Sequence, residues 1–334
     1  EQVLRAVKDR GGIAQVSDQE LQDLTSQAVE DYVFRELGGM EQQTPRFRYL
    51  FRRLERSVRA VVENVTDELR ASDFQPIFFE LGFGQGGELP PVELTEGGTT
   101  LRLSGFVDRV DGWVKDGRLY LRVVDYKTGR KSFDLTEVWN GLGLQMLLYL
   151  FTLEDKGEKL LGLPPVPAGV LYLPAREAVV AGSRTMDETA RRRLLDKELV
   201  RKGLVLDDEG VLQAMEHGEG GLRFLPLKVS ARTGKITGDA LVSAQKLGRL
   251  KKHTQQILSQ ICQEIARGNM DADPFWRGPD KNACQYCEFF RACQFEEHND
   301  RRHWVPSVRN SEFWDWLAQK DGEGGEDHGG QAHP

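Results

Sequence analysis

The stretches Gly105-Phe106-Val107-Asp108-Arg109 and Val124-Asp125-Tyr126-Lys127 decide the fold of this chain. Asp116-Gly117 lies between them, and an Asp-Gly pair between two strand-like runs predicts a hairpin with a type I′ turn. Such a turn fixes the register of the two strands. Counting back along both strands from the turn places Asp108 directly opposite Asp125.

This pairing brings two carboxylates together. Opposed side chains of an antiparallel pair have Cβ atoms about 4.5–5.5 Å apart, and like charges at that spacing repel. Lys127 shares the face of Asp125 because side chains alternate along a strand. Two carboxylates beside a lysine suit an Mg²⁺ or Mn²⁺ site with an ammonium group next to an attacking water or a phosphate oxygen. Ordinary strand-end salt bridges, Asp108 with Arg109 or another base and Asp125 with Lys127, are the alternative.

Gln145 and Tyr149 form a second polar pair. An apolar run predicts a helix over about residues 136–153, and positions four apart lie on one face of a helix. We expect the two side chains either to point into a site or to lie at a partly exposed helix edge.

A further amphipathic helix is predicted over residues 46 to about 70. Its apolar residues recur at steps of four and three, namely Phe47, Phe51, Leu54, Val58 and Val61. Arginines along its flank either contact a DNA backbone or form a solvated face.

The composition excludes several classes of protein. The chain has 334 residues, 39% of them hydrophobic and 29% charged, with a net charge of -7, which is ordinary for a globular protein and excludes a disordered or fibrous one. The longest apolar run, residues 146–151, is far shorter than the roughly 18–20 residues that span a bilayer, and the start of the sequence has no signal-peptide pattern. We therefore expect a soluble, cytoplasmic protein with no membrane partner.

Three of the four cysteines are crowded together as Cys284-x-x-Cys287-x5-Cys293. Thiolates at this spacing favour an iron–sulfur cluster or Zn²⁺ over a disulfide framework, and a zinc site would recruit His298 or His303. Three unliganded thiols are the alternative. The fourth, Cys262, lies in a predicted helix over about residues 243–267, where we expect a small buried apolar residue.

Taken together, the two strand motifs and Gln145-x-x-x-Tyr149 resemble the nuclease motifs of the RecB family within the PD-(D/E)XK superfamily. More narrowly, residues 167–172, 203–206 and 215–216 and the cysteine pattern resemble the C-terminal nuclease domains of the AddB family, the second subunits of AddAB helicase–nucleases. The resemblance covers about residues 1–300. It implies an α/β fold with a restriction-endonuclease-like core, a mixed sheet flanked by helices, and a Cys-rich C-terminal segment.

The resemblance also implies a division of the chain. Residues 1–300 would form the nuclease domain, with a core over about 46–175, an insertion or peripheral layer over about 176–242, and a helix with the Cys-rich segment over 243–300. Residues 301–334 would be an extension, and the glycine-rich, charged composition of its end predicts disorder from about 321.

By resemblance, Asp108, Asp125 and the main-chain carbonyl of Tyr126 would bind Mg²⁺ or Mn²⁺, and Lys127 would position or deprotonate the attacking water. Gln145 and Tyr149 would support the site and contact DNA, and Glu80 matches a family glutamate that precedes the hairpin. The family has a metal-binding His where this sequence has Glu1, so the resemblance implies either a replacement by Glu1 or a metal with one ligand fewer.

The resemblance finally implies cofactors and partners. Cys284, Cys287 and Cys293 would hold a 4Fe–4S cluster with a fourth Cys outside this chain, which would be a fragment of a longer helicase–nuclease subunit. Its partners would be DNA, as duplex ends and unwound single strand, and an AddA-like helicase–nuclease subunit, in the bacterial cytoplasm near the nucleoid. A DNA-end-binding scaffold with an impaired site and a stand-alone Cas4-like exonuclease are the alternatives.

Overall fold

The computed structural model describes residues 1–41, 43–182, 185–217, 221–230, 232–295 and 301–323. The helices are α1 (Gln2–Asp9), α2 (Asp18–Leu37), α3 (Pro45–Arg70), α4 (Leu135–Trp139), α5 (Gln145–Lys156), α6 (Glu158–Leu161), α7 (Glu188–Leu199), α8 (Glu209–Met215), α9 (Ala244–Ala266), α10 (Phe290–Cys293) and α11 (Asn310–Glu323). The strands are β1 (Gln75–Phe83), β2 (Val92–Glu96), β3 (Thr99–Leu103), β4 (Gly105–Lys115), β5 (Arg118–Lys127), β6 (Pro165–Pro174), β7 (Lys202–Leu206), β8 (Lys228–Val229), β9 (Ile236–Thr237), β10 (Leu241–Val242), β11 (Phe275–Trp276) and β12 (His303–Trp304).

The described residues form two units. The first comprises Glu1–Pro90, Ser104–Phe133 and Tyr149–Ala244, and the second comprises Pro91–Leu103, Asp134–Leu148 and Gln245–Pro334. The second unit holds the β2–β3 hairpin, α4, most of α9, the cysteine segment and α11. Among the described residues, no helix has the length and apolar character that a membrane crossing needs.

A six-stranded mixed sheet organises the first unit, in the order β1-β4-β5-β6-β7-β10. Neighbours are antiparallel except for β5 with β6 and β7 with β10, which run parallel. Residues 176–242 supply the last two strands on one side of the sheet, β7 and the edge strand β10. The predicted α/β fold with a mixed sheet flanked by helices is confirmed.

The hairpin of β4 and β5 has the predicted turn and register. Asp116 and Gly117 both have positive φ, at 50° and 71°, as a type I′ turn requires. The ladder runs from Lys115 opposite Arg118 to Arg109 opposite Val124. The Asp-Gly signal in the sequence was therefore sufficient to align the two strands.

Helices α1, α2 and α3 pack on this sheet because each has an apolar stripe. Ser17 and Glu20 form a capping box at the start of α2, and the side chain of Thr44 caps α3. The helix predicted over residues 46 to about 70 is thus confirmed as α3. The shared core contains residues of all three helices and of the sheet: Val3, Leu4, Val7, Leu21, Val65, Leu69, Phe79, Val124 and Leu173.

One sequence prediction needs correction. The helix expected over 136–153 is broken into α4 and α5, because Gly141 and Gly143 between them have positive φ of 78° and 64°. Apart from the last three residues of α11, the tail expected to be disordered from about 321 lies outside the described part of the chain, at residues 324–334.

Candidate active site

Asp108 and Asp125 lie where the β4–β5 ladder ends. The last ladder pair is Arg109 with Val124, and beyond it the carboxylate of Asp108 accepts a hydrogen bond from the main-chain N–H of Tyr126 at 2.8 Å. A side chain therefore replaces the backbone ladder at the position where Asp108 was predicted to face Asp125. This bond holds the Asp108 carboxylate against the end of β5.

Lys127 completes the predicted pair of acid and amine. Its Nζ lies 2.5 Å from Oδ2 of Asp125 and 5.5 Å from the ring centre of Tyr172. The Asp125–Lys127 contact of the salt-bridge interpretation is thus present, whereas Arg109 pairs with Asp111 instead of Asp108. The carboxylate of the opposing acid, Asp108, instead accepts a hydrogen bond from the main-chain N–H of Tyr126.

The pKa of Asp108 reflects the crowding of negative charge. Burial raises it, the hydrogen bond from Tyr126 lowers it, the charge of Asp125 raises it, the charge of Lys127 lowers it, and the charge of Glu1 raises it. The net shift is upward, so the carboxylate form of Asp108 is less stable here than in water. A cation between the acids would relieve this cost.

Glu80 and Glu1 add two more carboxyl groups. Glu80 lies in β1 between residues that pair with Arg109 and Val107 of β4, which puts it level with Asp108. Its φ is +52°, in the left-handed region, and non-glycine residues held there are strained by about 1–3 kcal/mol. The hydrogen bond to the Glu1 carboxyl raises the pKa of Glu80. The two carboxyl groups thus lie close together and add to the acidic character of the site.

The hydroxyl of Tyr149 lies against Gly105 at the start of β4. Its ring stacks on Phe83 at 4.9 Å between centres, and a Cβ added to Gly105 would lie 2.0 Å from its hydroxyl oxygen. Gly105, in the motif that contains Asp108, therefore leaves room for this hydroxyl. Gln145 is the first residue of α5, one turn before Tyr149, and belongs to the second unit.

A cavity of about 400 Å³ opens onto the acids. Glu1, Glu80, Asp108 and Tyr126 line one part of it, and apolar residues of α3, Leu54, Val58, Val61, Val62 and Val65, line another. The carboxyl groups are thus reached from a pocket with an apolar wall.

Sequence reasoning missed a second charged cluster, which lies buried against the same hairpin and includes three of its residues. Arg109, Arg122 and Arg201 are fully buried with Glu68 and Asp111. Asp111 lies 2.8 Å from Arg109 and 2.7 Å from Arg122, and Glu68 lies 2.9 Å from Arg201. We call these five residues the buried network. The register carried a signal for part of it, because Asp111 lies opposite Arg122.

The buried network touches the candidate site at one residue. Nη1 of Arg109 donates a hydrogen bond to the hydroxyl of Tyr126 at 2.9 Å. The main-chain N–H of the same tyrosine donates to Asp108. Tyr126 is therefore held from both ends, and the buried network acts as a support for the end of β5.

The acids fit a hard cation by charge and by chemistry. Oδ2 of Asp125 is buried and makes no hydrogen bond of normal geometry with any described residue, although Lys127 is close. Carboxylate and carbonyl oxygens are the ligands that Mg²⁺ and Mn²⁺ prefer. Within the described ranges, no three His, Cys, Asp or Glu side chains are grouped as a ready-made metal site, so any site here needs main-chain oxygens or water as well.

The three clustered cysteines are the second place where the sequence predicts a metal site. Cys284 is half-buried and Cys287 and Cys293 are exposed, along a turn that ends in α10. In the described part of the chain these thiols are not gathered into a group of three metal ligands. His303 lies 3.5 Å from Asp273, and His298 lies outside the described residues. Cys262 is fully buried, as predicted for an apolar packing residue.

Comparisons with known proteins bear on this site. The PD-(D/E)XK nuclease superfamily matches residues 2–294. Curated proteins named as the B-type subunit of an ATP-dependent helicase/deoxyribonuclease are similar over most of the chain. The protein of Acetivibrio thermocellus is 32% identical over 304 residues, which are 89% of this chain and 26% of the relative. For that of Anoxybacillus flavithermus the identity is 33% over 306 residues, 90% of this chain and 26% of the relative. The chain thus spans about a quarter of the length of these relatives.

Proposed function

Because the chain belongs to the PD-(D/E)XK nuclease superfamily, we propose that it is a metal-dependent deoxyribonuclease domain that hydrolyses phosphodiester bonds. The observation that carries this proposal is the meeting of Asp108, Asp125 and Lys127 at the end of one hairpin. Two acids and an amine in that arrangement are what metal-assisted hydrolysis of a phosphodiester needs.

In this proposal the acids bind the cation. Asp108 and Asp125 would hold Mg²⁺ or Mn²⁺ together with the main-chain carbonyl of Tyr126. When bound, the cation would polarise a phosphoryl oxygen and lower the pKa of a water molecule. The raised pKa of Asp108 supports the assignment, because it marks a carboxylate whose negative charge is destabilised by burial and by the neighbouring Asp125.

The remaining residues act on the substrate and on the site. The ammonium group of Lys127, half-exposed beside Asp125, would orient the attacking water or stabilise charge on the phosphate. The Tyr149 hydroxyl, next to Gly105, would contact the DNA or the scissile phosphate, and Gln145 would assist from the start of α5. Glu80, whose backbone is strained and which lies level with Asp108, would place its own carboxyl group at the cavity as a further acid.

The relatives extend the proposal to the whole protein. Their name describes one subunit of a helicase/deoxyribonuclease, which supports a role in resecting double-strand DNA ends for recombinational repair. The partners would be DNA and an AddA-like subunit, in the cytoplasm close to the nucleoid. Cys284, Cys287 and Cys293 would hold a 4Fe–4S cluster, or Zn²⁺ as the alternative, with a further ligand from another segment of the intact protein.

Cleavage of end-labelled linear DNA tests the nuclease assignment. We expect the chain to cut DNA with Mg²⁺ or Mn²⁺, EDTA to stop it, and Asp125→Asn to lower the rate by at least about 100-fold. Asp239→Asn, an exposed aspartate between β9 and β10, serves as the matched control and should cut normally.

Two results would contradict the assignment. Undiminished cleavage by Asp125→Asn would move the chemistry elsewhere. Tight binding of DNA ends by the chain without metal-dependent cleavage would favour the end-binding scaffold.

A further inference from the structure

A basic pocket of about 340 Å³ adjoins the candidate active site. Six of the described residues that line it are cationic, namely Lys127, Arg130, Lys131, Arg176, Lys197 and Lys202, and one, Glu198, is acidic. The whole chain carries a net charge of -7, so this concentration of positive charge is local and runs against the average of the surface. We call these residues the basic pocket.

Glu198 organises the basic pocket without neutralising it. Its Oε2 lies 3.1 Å from Nη2 of Arg130 and 3.1 Å from Nη2 of Arg176. One carboxylate thus holds two guanidinium groups side by side. The hydrogen bond from Arg176 and the charges of Arg130 and Lys202 lower the pKa of Glu198, which shows that these cations lie close together.

The chemistry of the basic pocket selects a phosphate group. Guanidinium groups present planar pairs of N–H donors that match phosphate oxygens, and lysines add point charges. The pocket is open, and most of its cations are on exposed side chains, as expected of a site that contacts a long polyanion along its backbone.

Lys127 joins the basic pocket to the acids. It lines the pocket and lies 2.5 Å from Asp125. The apolar-walled cavity of about 400 Å³ is lined by Asp108 and Tyr126 instead. If the scissile phosphate of a DNA strand lies at Asp108 and Asp125, the neighbouring part of that strand would pass Lys127 and enter the basic pocket.

We propose that the basic pocket binds a non-scissile backbone phosphate of the DNA strand that is cut. This inference rests on the proposed nuclease function for the identity of the strand. The contact is with the backbone and carries no base preference, so it would fix the register of the strand relative to the acids.

Binding of a labelled single-stranded oligonucleotide in EDTA tests the pocket without cleavage. We expect Arg130→Ala with Lys202→Ala to weaken binding by at least about tenfold at about 0.1 M salt, and the slope of log affinity against log salt to fall by about 0.7, as expected for the loss of one phosphate contact on a single strand. The matched control is Lys228→Ala with Lys235→Ala, two exposed lysines of the β8–β9 segment of the same unit. The control should bind within about twofold of the unaltered chain.

A second arm identifies the phosphate group. An oligonucleotide with one neutral methylphosphonate, moved along the strand, should bind the unaltered chain less tightly at one position and leave the affinity of the pocket variant unchanged. Lys202→Arg, which keeps the charge, should bind normally. A pocket variant that keeps the affinity and salt slope of the unaltered chain would overturn the proposal, as would an equal loss in the control.

The pocket and the nuclease assignment fail separately. Cleavage that persists in Asp125→Asn contradicts the catalytic assignment and leaves the EDTA binding result unaffected. Normal binding by the pocket variant, together with loss of cleavage in Asp125→Asn, contradicts the pocket alone.

Discussion

Two charged clusters that both include residues of the β4–β5 hairpin have opposite electrostatics. In the buried network, Glu68 and Asp111 lie among three arginines, and the charges of Arg201, Arg122 and Arg109 overcome the effect of burial and lower the pKa of Glu68 to about 2. At the candidate site the pKa of Asp108 is raised by burial and by neighbouring acid. The first cluster compensates its charges, and the second leaves negative charge in excess.

This difference indicates that the buried network supports the fold and that the candidate site carries the chemistry. A buried acid that is surrounded by arginines stabilises the fold only while all partners are charged. An acid among acids costs stability, so its presence indicates a cation that the site is built to bind. Neutralising one acid in each cluster should therefore have opposite effects on stability.

The largest expected effect on stability is in the buried network. Glu68→Gln would leave Arg201 and its neighbours without their shared carboxylate, and breaking a buried ion pair costs about 3–5 kcal/mol. Urea unfolding measures the loss. Glu63→Gln, an exposed position on the same helix, should change the free energy of unfolding by less than about 0.5 kcal/mol. Equal losses in the two variants would contradict the account.

The pH dependence of the unfolding free energy should report the ionisation of the same carboxylate, Glu68. The folded pKa of Glu68 is lowered from 4.5 to about 2, so its contribution is fully present above pH 4.5 and is lost as pH falls towards 2. A shift of that size corresponds to about 3 kcal/mol. The gap in unfolding free energy between the unaltered chain and Glu68→Gln should be constant from pH 7 to 5 and shrink between pH 4.5 and 3. A gap that does not change with pH would argue against a charged Glu68.

A smaller effect is expected where the two clusters meet. Tyr126→Phe removes the hydroxyl that accepts from Arg109 but keeps the ring and the main-chain N–H that holds Asp108. The unpaired donor of Arg109 should cost about 1–2 kcal/mol in unfolding free energy. Cleavage should fall by less than about tenfold, because the acids stay in place. Tyr120→Phe on the same strand is the control. A fall in cleavage of more than about tenfold in Tyr126→Phe would instead indicate that its hydroxyl takes part in the reaction.

The sequence was sufficient for the hairpin because its signal is local. Asp116-Gly117 sets the turn, the turn sets the register, and the register brings Asp108 to the end of β5. The same register also pairs Asp111 with Arg122, so part of the buried network could have been found in this way.

The rest of the network could not be predicted, because Glu68 comes from α3 and Arg201 from the start of β7, and only the packed fold brings them together. The break between α4 and α5 had a signal in Gly141 and Gly143, which the surrounding apolar run concealed. The roles of the individual site residues stay predictions.

One pair of measurements on Asp108→Asn tests the central contrast most directly. Asparagine keeps an oxygen that can accept from the N–H of Tyr126 and removes the charge that crowds Asp125. We expect a loss of metal-dependent cleavage of at least about 100-fold together with an unfolding free energy that is unchanged or higher by up to about 1 kcal/mol. Normal cleavage, or a loss of stability as large as that of Glu68→Gln, would contradict it.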